Sequence, residues 1–338
     1  MKRALPLAAL ALAACTPPLP EHRVQLYALH TLVEVTVLEP DPARARDQLA
    51  AVEAALRTAE RRYAAWGNGE LARANAALAA RGEAAVSAEL AAALRDARAL
   101  GERSGWSFDP GIGRMVELWG FHRDQPSPTR PPDPAALAAL VARAPSLSDL
   151  TIDGGALATA NPALWIDLGA YAKGAAVDAT LAALRAHGAR DALVAAAGDL
   201  CALGRRGLRA WRVGIRDPAA GGVLGSLALG DGECVSTSGD YERAFEWQGA
   251  RYHHLLVPRS GRPTVGLRSV TVVATRGALA DAAATAGMVL GTADAVALRA
   301  LGVVAVLAVR ADGTLEVSRA MRSQLTLGDR TRALREVP

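Results

Sequence analysis

The chain has 338 residues, of which 51% are hydrophobic and 21% charged. It is therefore long enough to bury a sizeable core, and it does not have the composition of an intrinsically disordered protein. The formal net charge is +4, and lysine occurs only at Lys2 and Lys173. The arginines form no dense basic run with interleaved aromatic residues, so no nucleic-acid-binding surface is expected.

The N-terminus resembles a bacterial lipoprotein signal. Two basic residues precede an apolar stretch that is too short to span a bilayer, and small residues lie directly before Cys15. We expect residues 1–14 to be removed and Cys15 to be lipidated, with 15–23 as a tether and 24–330 as one folded domain. The protein would then sit in the bacterial cell envelope, lipid-anchored on the periplasmic or extracytoplasmic side of the membrane. An ordinary cleaved signal with an incidental cysteine is the alternative.

Hydrophobic periodicity and turn residues predict a mixed order of helices and strands. Strands are expected at Val24–Leu38, Trp165–Leu168, Ala192–Ala196, Trp211–Ile215, Leu224–Leu229 and Ser269–Ala274. Helices are expected at Asp41–Ala65, Glu70–Leu78, Ser87–Gly101, Ala170–His187 and Ala278–Leu290. A small antiparallel group is expected from Cys234–Ser238, Phe245–Trp247 and Arg251–Leu256, and a closing hairpin from Val303–Val309 and Leu315–Ser318. Residues 123–134 are expected to form an exposed excursion. Without a strict βαβ rhythm, this order favours an α+β fold.

Two segments offer anion-binding chemistry. In 166–174 an apolar run enters a glycine-containing turn that opens a helix, and such a turn presents free N–H groups to a phosphate, with Lys173 as an added cation. A tight turn with a surface lysine is an equal alternative. The segment 107–113 contains Gly111-Ile112-Gly113, but residue 116 is Val, so the dinucleotide fingerprint fails. For Asp109-Pro110 alone, a helix start is the better interpretation.

Two further segments offer groups for proton transfer and metal binding. The two histidines of Arg251-Tyr252-His253-His254 point to opposite faces of a strand, so one of them points inward. An inward histidine near the hydroxyl-rich segment 236–241 is a candidate base. Such histidines are more often structural. Asp281 and Thr285 lie at i and i+4 on one helix face, and their oxygens suit Mg²⁺. An aspartate that satisfies the helix start, with a back-bonded threonine, is the alternative.

Cys201 and Cys234 carry no zinc-type spacing. In an exported protein they could form a disulfide, whereas two buried small hydrophobic residues are at least as good an interpretation, because spacing alone does not show proximity.

Taken together, these segments resemble the ApbE family, the FAD:protein FMN transferases, from about Arg62 to Gly291. The shared motifs, in chain order, are LWGF (118–121), IDLGxxAKGxxVD (166–178), GD (198–199), TSGDYE (237–242), RYHH (251–254), SVTV (269–272) and ADAAAT (280–285). The resemblance implies a two-lobed α+β fold with mixed sheets and flanking helices and with FAD between the lobes.

The family resemblance also implies an activity and a set of site residues. Such an enzyme cleaves FAD, releases AMP and attaches FMN through a phosphoester to Thr or Ser of a target flavoprotein, with Mg²⁺. The implied FAD contacts are Ser107, Phe108, Asp109, Asp167, Lys173 and, through its backbone, Leu255. The implied metal ligands are the Ala170 carbonyl, Asp281 and Thr285, and His254 is the implied base. The implied acceptors are respiratory-type redox subunits, and no acceptor-like Ser-Gly-Ala-Thr stretch occurs in this chain.

Three segments depart from the family pattern. Val257 stands where an aspartate is usual, Leu29-His30-Thr31 replaces Met-Gly-Thr, and 65–70 replaces a serine-rich loop. The first departure removes a carboxylate near the expected base. Two alternatives therefore remain: an FAD pyrophosphatase that gives FMN and AMP, and a non-catalytic FAD-binding lipoprotein.

Overall fold

A computed structural model describes residues 19–123, 129–219, 221–291, 295–329 and 331–337. The strands are β1 (Glu21–Ala28), β2 (Thr31–Leu38), β3 (Glu83–Ala85), β4 (Thr151–Asp153), β5 (Ala156–Ala158), β6 (Ala192–Ala196), β7 (Asp199–Leu203), β8 (Trp211–Arg216), β9 (Val223–Leu229), β10 (Cys234–Gly239), β11 (Ala244–Trp247), β12 (Ala250–His253), β13 (Leu267–Ala274), β14 (Ala305–Arg310), β15 (Leu315–Ser318), β16 (Leu325–Leu327) and β17 (Leu334–Val337). The helices are α1 (Pro42–Tyr63), α2 (Glu70–Arg81), α3 (Ala88–Arg103), α4 (Gly113–Leu118), α5 (Pro134–Val141), α6 (Ala172–Ala186), α7 (Gly277–Leu290), α8 (Ala295–Arg299) and α9 (Arg319–Gln324). Residues 1–14, Cys15 and part of 123–134 lie outside the described residues.

A nine-stranded sheet forms the centre of the fold. Its strand order is β1-β2-β6-β7-β10-β13-β14-β15-β17, and neighbouring strands are antiparallel except for β15 and β17. Three small sheets accompany it: β3-β5-β4, β16-β9-β8 and the hairpin β11-β12. The chain therefore has the α+β architecture that the sequence predicts.

Both faces of the central sheet are covered by apolar layers. On one face, Val270 and Val272 of β13 pack into a large cluster with α1, α2, α3, α6 and α7. On the other face, Val273 of the same strand packs against Trp211 and Leu227 of the small sheet β16-β9-β8. Adjacent residues of β13 thus enter opposite cores, as the period of two in a strand requires. This burial on both faces explains why β13 is almost continuously apolar.

The helix ends follow the capping residues that the sequence offers. Asp41 accepts a hydrogen bond from the Ala43 amide at the start of α1, and Ser87 accepts one from the Leu90 amide at the start of α3. Both side chains satisfy donors that the first helical turn leaves free. The predicted helices Asp41–Ala65 and Ser87–Gly101 are confirmed to within two residues.

The predicted single strand Val24–Leu38 is wrong, because it is a hairpin. β1 and β2 pair from Glu21↔Leu38 to Ala28↔Thr31, and Leu29 and His30 form the turn with φ of 53° and 59°. Neither turn residue is glycine, asparagine or aspartate, so the sequence carries no ordinary hairpin signal at this point. β1 also begins at Glu21, inside the segment that we expected to be tether.

The predicted strand Trp165–Leu168 is also wrong. Trp165 makes an isolated bridge to Ile112, and residues 166–168 belong to no strand. The buried Asn75 side chain takes the place of a neighbouring strand: it donates to the Ile166 carbonyl at 2.8 Å and accepts from the Ile166 amide at 2.9 Å. A side chain from α2 therefore satisfies the backbone groups that a sheet would have satisfied.

Two other predicted groupings differ from the structure. β10 does not join the hairpin β11-β12 but lies in the central sheet between β7 and β13. The hairpin of β14 and β15 forms as predicted, yet it does not close the fold, because α9, β16 and β17 follow it. β17 returns to pair with β15 in parallel, a contact between residues that no local pattern indicates.

A disulfide joins Cys201 and Cys234. The two residues oppose each other on β7 and β10, with their Cα atoms 4.0 Å apart. Of the two interpretations left open by the sequence, the structure shows the disulfide.

Removing the disulfide with the double variant Cys201→Ala/Cys234→Ala is expected to destabilise the oxidised protein by roughly 3 to 4 kcal/mol, because the unfolded chain regains the freedom of a closed loop. The two cysteines are separated by 33 residues. Urea unfolding with and without a reducing agent checks this: the reductant should destabilise the wild type and leave the variant unchanged. Equal unfolding midpoints for the oxidised wild type and the variant would contradict the expectation.

Among the described residues, no helix combines the length and the apolarity that crossing a bilayer requires.

Candidate active site

The side chain of Lys173 joins three segments of the chain. Lys173 lies in the first turn of α6, and its Nζ is 3.1 Å from Oδ2 of Asp281 and 3.3 Å from Oδ2 of Asp199. The same ammonium group donates to the Gly169 carbonyl at 3.2 Å. The side chains of Asp281 and Asp199 are only 4% and 3% exposed. Burying two carboxylates around one ammonium costs free energy of desolvation, and such buried charged clusters are concentrated at functional sites. This cluster is therefore the candidate site.

Two glycines allow α6 and α7 to approach closely enough to form the cluster. A Cβ at Gly174 would lie 2.1 Å from the carbonyl oxygen of Gly277, and a Cβ at Gly277 would lie 2.5 Å from that of Gly174. The glycine after Lys173 is therefore required for helix packing. The contact brings the Gly174 amide to 3.3 Å from Oδ2 of Asp281, so this carboxylate lies at the positive end of α6.

The last residue of the IDLGxxAKGxxVD motif fixes the start of α7. Asp178 accepts hydrogen bonds from the Gly277 amide at 2.6 Å and from the Ala278 amide at 2.9 Å. Burial raises the pKa of this carboxyl, and the two amides lower it. Asp178 thus sets the position of the helix that carries Asp281, one turn farther on.

Thr285 and Ala170 lie on the two segments that carry the cluster. Thr285 follows Asp281 by one helical turn, and its Oγ1 lies 3.2 Å from Oγ of Ser238 on β10. Ala170 lies in the turn before α6, next to the Gly169 carbonyl that contacts Lys173. The three predicted metal ligands therefore come from the two segments that meet at Lys173.

Burial dominates the electrostatics of the cluster. It raises the pKa of Asp281 to about 7, and the nearby charge of Asp199 adds to this, whereas Lys173 and the Gly174 amide act against it. Burial alone would lower the pKa of Lys173, but Asp199 and Asp281 outweigh it and raise that pKa. Lys173 therefore stays charged, while Asp281 is a carboxylate that gains strongly from a cation beside it.

His254 lies at the end of the hairpin β11-β12. It follows β12, its amide donates to the Arg243 carbonyl at 3.1 Å, and the edge of its ring faces Phe121 at 6.4 Å between centroids. Burial lowers the pKa of His254 well below 6.5, and the charges of Arg243, His253 and Lys173 lower it further. His254 is therefore a neutral imidazole, and its buried Nδ1 has no hydrogen-bond partner within the described part of the chain.

The neighbouring His253 forms a hydrogen bond within the fold. Its Nε2 lies 3.0 Å from the Thr264 carbonyl, and the residue is 4% exposed. An aromatic cluster that includes Trp119, Phe121 and Tyr252 packs against the hairpin, and Phe121 contacts the ring of His254. In both histidines the buried Nδ1 has no hydrogen-bond partner within the described residues, whereas the Nε2 of His253 is held by the Thr264 carbonyl.

The loop 107–113 packs against the segment around Asp167. The Asp167 amide donates to the Pro110 carbonyl at 2.8 Å, and the Gly113 amide donates to the Trp165 carbonyl at 2.8 Å. Asp109 is buried, and its Oδ1 accepts from the amides of Gly111 and Leu147. Burial raises the pKa of Asp109. Backbone hydrogen bonds therefore join the loop 107–113 to the segment around Asp167, and both hold residues expected to contact FAD.

The comparisons with known proteins identify the family of the chain. The model of the ApbE family matches residues 29–307. The chain belongs to the ApbE family. It is 44% identical, over 92% of its length, to the FAD:protein FMN transferase of Rhodobacter capsulatus and covers 59% of that protein. Across the first relatives that it matches, the chain spans about three fifths of their length.

Solved structures of the family share the fold. The ApbE protein of Thermotoga maritima superposes with a TM-score of 0.82 at 28% identity, covering 90% of this chain and 99% of that one. The apo form of the flavinyl transferase ApbE of Pseudomonas stutzeri has a TM-score of 0.77 at 29% identity, covering 92% of this chain and 98% of that one.

In this ApbE chain, the residues expected to contact FAD differ in what they do for the fold. Phe108 is 2% exposed and belongs to the main core, and Leu255 is buried with its carbonyl accepting from the Thr264 amide at 2.9 Å. Asp167 is half-buried, and its Oδ1 accepts from the Gly169 amide at 2.8 Å. Ser107 is half-buried at the entry to the loop. Lys173 alone of these residues contacts Asp281 directly.

Sequence reasoning missed two features of the site. The first is Asp199, whose Gly198-Asp199 signal was weak by itself, and its partner Ser236 on the next strand. The second is an aromatic stack beside Asp167. Trp66 lies on Trp165 with ring centroids 5.2 Å apart, and the guanidinium of Arg114 is 4.0 Å from the Trp165 ring. The only sequence signal for this stack was the tryptophan in the loop that replaces the serine-rich one.

Replacing His254 by glutamine is expected to make the stability of the protein less sensitive to acid. The folded protein holds the pKa of His254 well below 6.5. As the pH falls below 6.5, His254 is therefore protonated in the unfolded chain but stays neutral in the folded chain. The contribution of His254 to stability is thus fully present above the ordinary histidine pKa and declines below it. Between about pH 6.5 and about pH 5.5, the wild type should lose up to about 1 kcal/mol more than the variant in urea unfolding. Equal losses would contradict the burial of a neutral His254.

Proposed function

We propose that this chain is an FAD:protein FMN transferase, which cleaves FAD, releases AMP and attaches FMN to a threonine or serine of a target flavoprotein. The observation that carries the proposal is the convergence of Lys173, Asp199 and Asp281 at the N-terminus of α6. The names of the relatives, among them the Rhodobacter capsulatus transferase, support the same activity.

The donors around Asp281 fit a magnesium ion. Asp281, the Thr285 hydroxyl and the Ala170 carbonyl would hold it, because a carboxylate, a hydroxyl and a carbonyl are the hard oxygen ligands that Mg²⁺ prefers. A buried carboxylate whose pKa is raised to about 7 is stabilised by a divalent cation. When bound, the ion would neutralise charge on the pyrophosphate of FAD.

The protein groups supply positioning and proton transfer. Lys173 and the free amides at the start of α6 would bind the pyrophosphate oxygens. The acceptor hydroxyl would attack the phosphorus on the FMN side, forming the phosphoester bond as the bond to the bridging oxygen breaks and AMP departs with that oxygen. His254, neutral and with an unpartnered nitrogen, would take the hydroxyl proton. Phosphoryl transfer of this kind depends mainly on positioning and charge neutralisation.

The remaining predicted contacts would place the rest of FAD between the two lobes. The hydrogen bonds that join 107–113 to 165–167 bring together the segments that carry Ser107, Phe108, Asp109 and Asp167; of these residues, Phe108 and Asp109 are buried and the other two are half-buried. Leu255 follows His254 directly in the chain. The Trp66–Trp165 stack lies two residues before Asp167, and its rings pack against Arg114 and His122.

We further propose that the protein is anchored through a lipid on Cys15, on the extracytoplasmic side of the membrane, and acts on respiratory-type redox subunits. Support comes from the sequence before Cys15 and from the disulfide, which is typical of exported proteins. Membrane fractionation tests the anchor: the wild type should sediment with membranes, and Cys15→Ser should not. Co-sedimentation of both would overturn it.

Acceptor-dependent AMP release tests the transferase. The chain from Thr16 onward is incubated with FAD and Mg²⁺, with and without a flavoprotein domain that carries a Ser-Gly-Ala-Thr stretch. The proposal predicts AMP only when the acceptor is present. AMP without acceptor would show the FAD pyrophosphatase, which the Val257 departure suggests. Bound FAD with no AMP in either sample would favour a flavin-binding protein.

A further inference from the structure

We propose that Asp199 is a positioning residue that holds the Lys173 ammonium between two carboxylates and so keeps the Asp281 carboxylate available to a divalent cation. The inference rests on the proposed function, which assigns Asp281 to that cation. Asp199 itself is not assigned to the metal or to FAD.

The contacts show that Lys173 is shared. Its Nζ lies 3.3 Å from Oδ2 of Asp199, 3.1 Å from Oδ2 of Asp281 and 3.3 Å from Oδ1 of Asp281. Since Lys173 is the only lysine apart from Lys2, its long flexible stem carries the one compact ammonium charge of the folded chain. Such a side chain moves towards whichever anion is fixed in place.

Asp199 is fixed more firmly than Lys173. Its Oδ1 accepts a hydrogen bond from Oγ of Ser236, which leaves Oδ2 directed at the ammonium. Asp199 and Ser236 oppose each other on β7 and β10, and two residues along the same strands the Cys201–Cys234 disulfide locks the register.

The turn before Asp199 is also constrained. It passes through Ala197 with φ of 53°, and a Cβ at Gly198 would lie 2.8 Å from the Thr237 carbonyl oxygen. The backbone before Asp199 therefore has little freedom to shift, so the contact depends on the lysine side chain reaching the carboxylate.

The Lys173 ammonium and a divalent cation compete for the Asp281 carboxylate. Without the charge of Asp199, the ammonium would have one carboxylate partner, Asp281, in a buried ion pair. A cation at Asp281 would then have to displace that pair. With Asp199 in place, the ammonium retains a partner when a cation takes the oxygens of Asp281, so the exchange costs less.

A double-mutant cycle tests whether Asp199 acts through Lys173. Mn²⁺ is used as the probe, and its binding to the protein without FAD is followed by the electron paramagnetic resonance signal of free Mn²⁺. Asp199→Asn is expected to weaken Mn²⁺ binding about tenfold in the wild type. In a Lys173→Met background the same change should cost no more than about threefold, because the competing ammonium is absent.

Matched variants guard against a folding artefact. Ser236→Ala leaves Asp199 charged but removes its anchoring hydrogen bond, and it should weaken Mn²⁺ binding in the same direction by a smaller factor. Glu316→Gln neutralises another buried carboxylate, which forms an ion pair of 3.1 Å with Arg310 elsewhere in the fold. This variant should leave Mn²⁺ binding unchanged.

The outcomes separate this inference from the proposed function. An equal loss from Asp199→Asn in both backgrounds would show that Asp199 acts on the cation directly, which overturns the positioning role alone. If Asp199→Asn leaves Mn²⁺ binding unchanged, the positioning role is likewise overturned while the proposed metal site stands. Absence of Mn²⁺ binding to the wild type overturns the proposed metal site and this inference with it.

Discussion

Replacing Asp281 by alanine is expected to lower FMN transfer and AMP release at least about 100-fold while FAD binding changes by only a few-fold. Asp281 is the carboxylate of the proposed metal site; it lies buried on α7, next to the first turn of α6. The expected FAD contacts come from other segments, so binding of FAD should survive. Single-turnover AMP release at saturating FAD, together with flavin-fluorescence titration, measures the two effects separately.

Glu316→Ala is a matched control for Asp281→Ala, because it also removes a buried carboxylate that pairs with a basic residue. It should leave transfer unchanged in molecules that remain folded, as judged by the thermal unfolding midpoint. Transfer at the wild-type rate by Asp281→Ala would contradict the metal assignment. Equal losses of transfer and of FAD binding would instead show that Asp281 serves to bind FAD.

Replacing His254 by alanine is expected to lower the rate of transfer by about 10² to 10⁴, the range for loss of a general base. The KM for FAD should change little, because the proposed base acts on the acceptor hydroxyl. His253→Ala is the neighbouring control: it removes the contact with the Thr264 carbonyl and should reduce stability more than the rate.

The pH profile adds a further check on His254. Since burial holds the pKa of His254 well below 6.5, the wild-type rate should not fall through protonation of His254 between about pH 8 and about pH 7. A rate for His254→Ala within about threefold of the wild type would remove His254 from the mechanism.

Local patterns predicted the parts of the fold that depend on neighbouring residues. The start of α1 followed from Asp41-Pro42, and the start of α3 followed from Ser87, because capping uses groups within one helical turn. The glycine-containing turn before α6 was likewise placed correctly, and with it Lys173. In the same way, Asp281 and Thr285 share a helix face because their spacing fixes it.

Features that depend on distant residues were not predictable from local patterns. The hairpin turn at Leu29 and His30 lacks turn residues, and the backbone of Ile166 is satisfied by Asn75, which is far away in sequence. The partners of Asp199 and Cys201 depend on the pairing of β7 with β10. For the site, the family resemblance supplied the residues, and the structure supplied the contacts that join them, above all the position of Asp199 beside Lys173.

The most direct test of the account is the intact mass of an acceptor domain after incubation with the chain from Thr16 onward, FAD and Mg²⁺. The account predicts a mass increase equal to FMN less one water, together with one AMP for each modified acceptor. The adduct should be absent when the acceptor threonine is replaced by valine. Release of AMP and free FMN with an acceptor of unchanged mass would contradict the transferase.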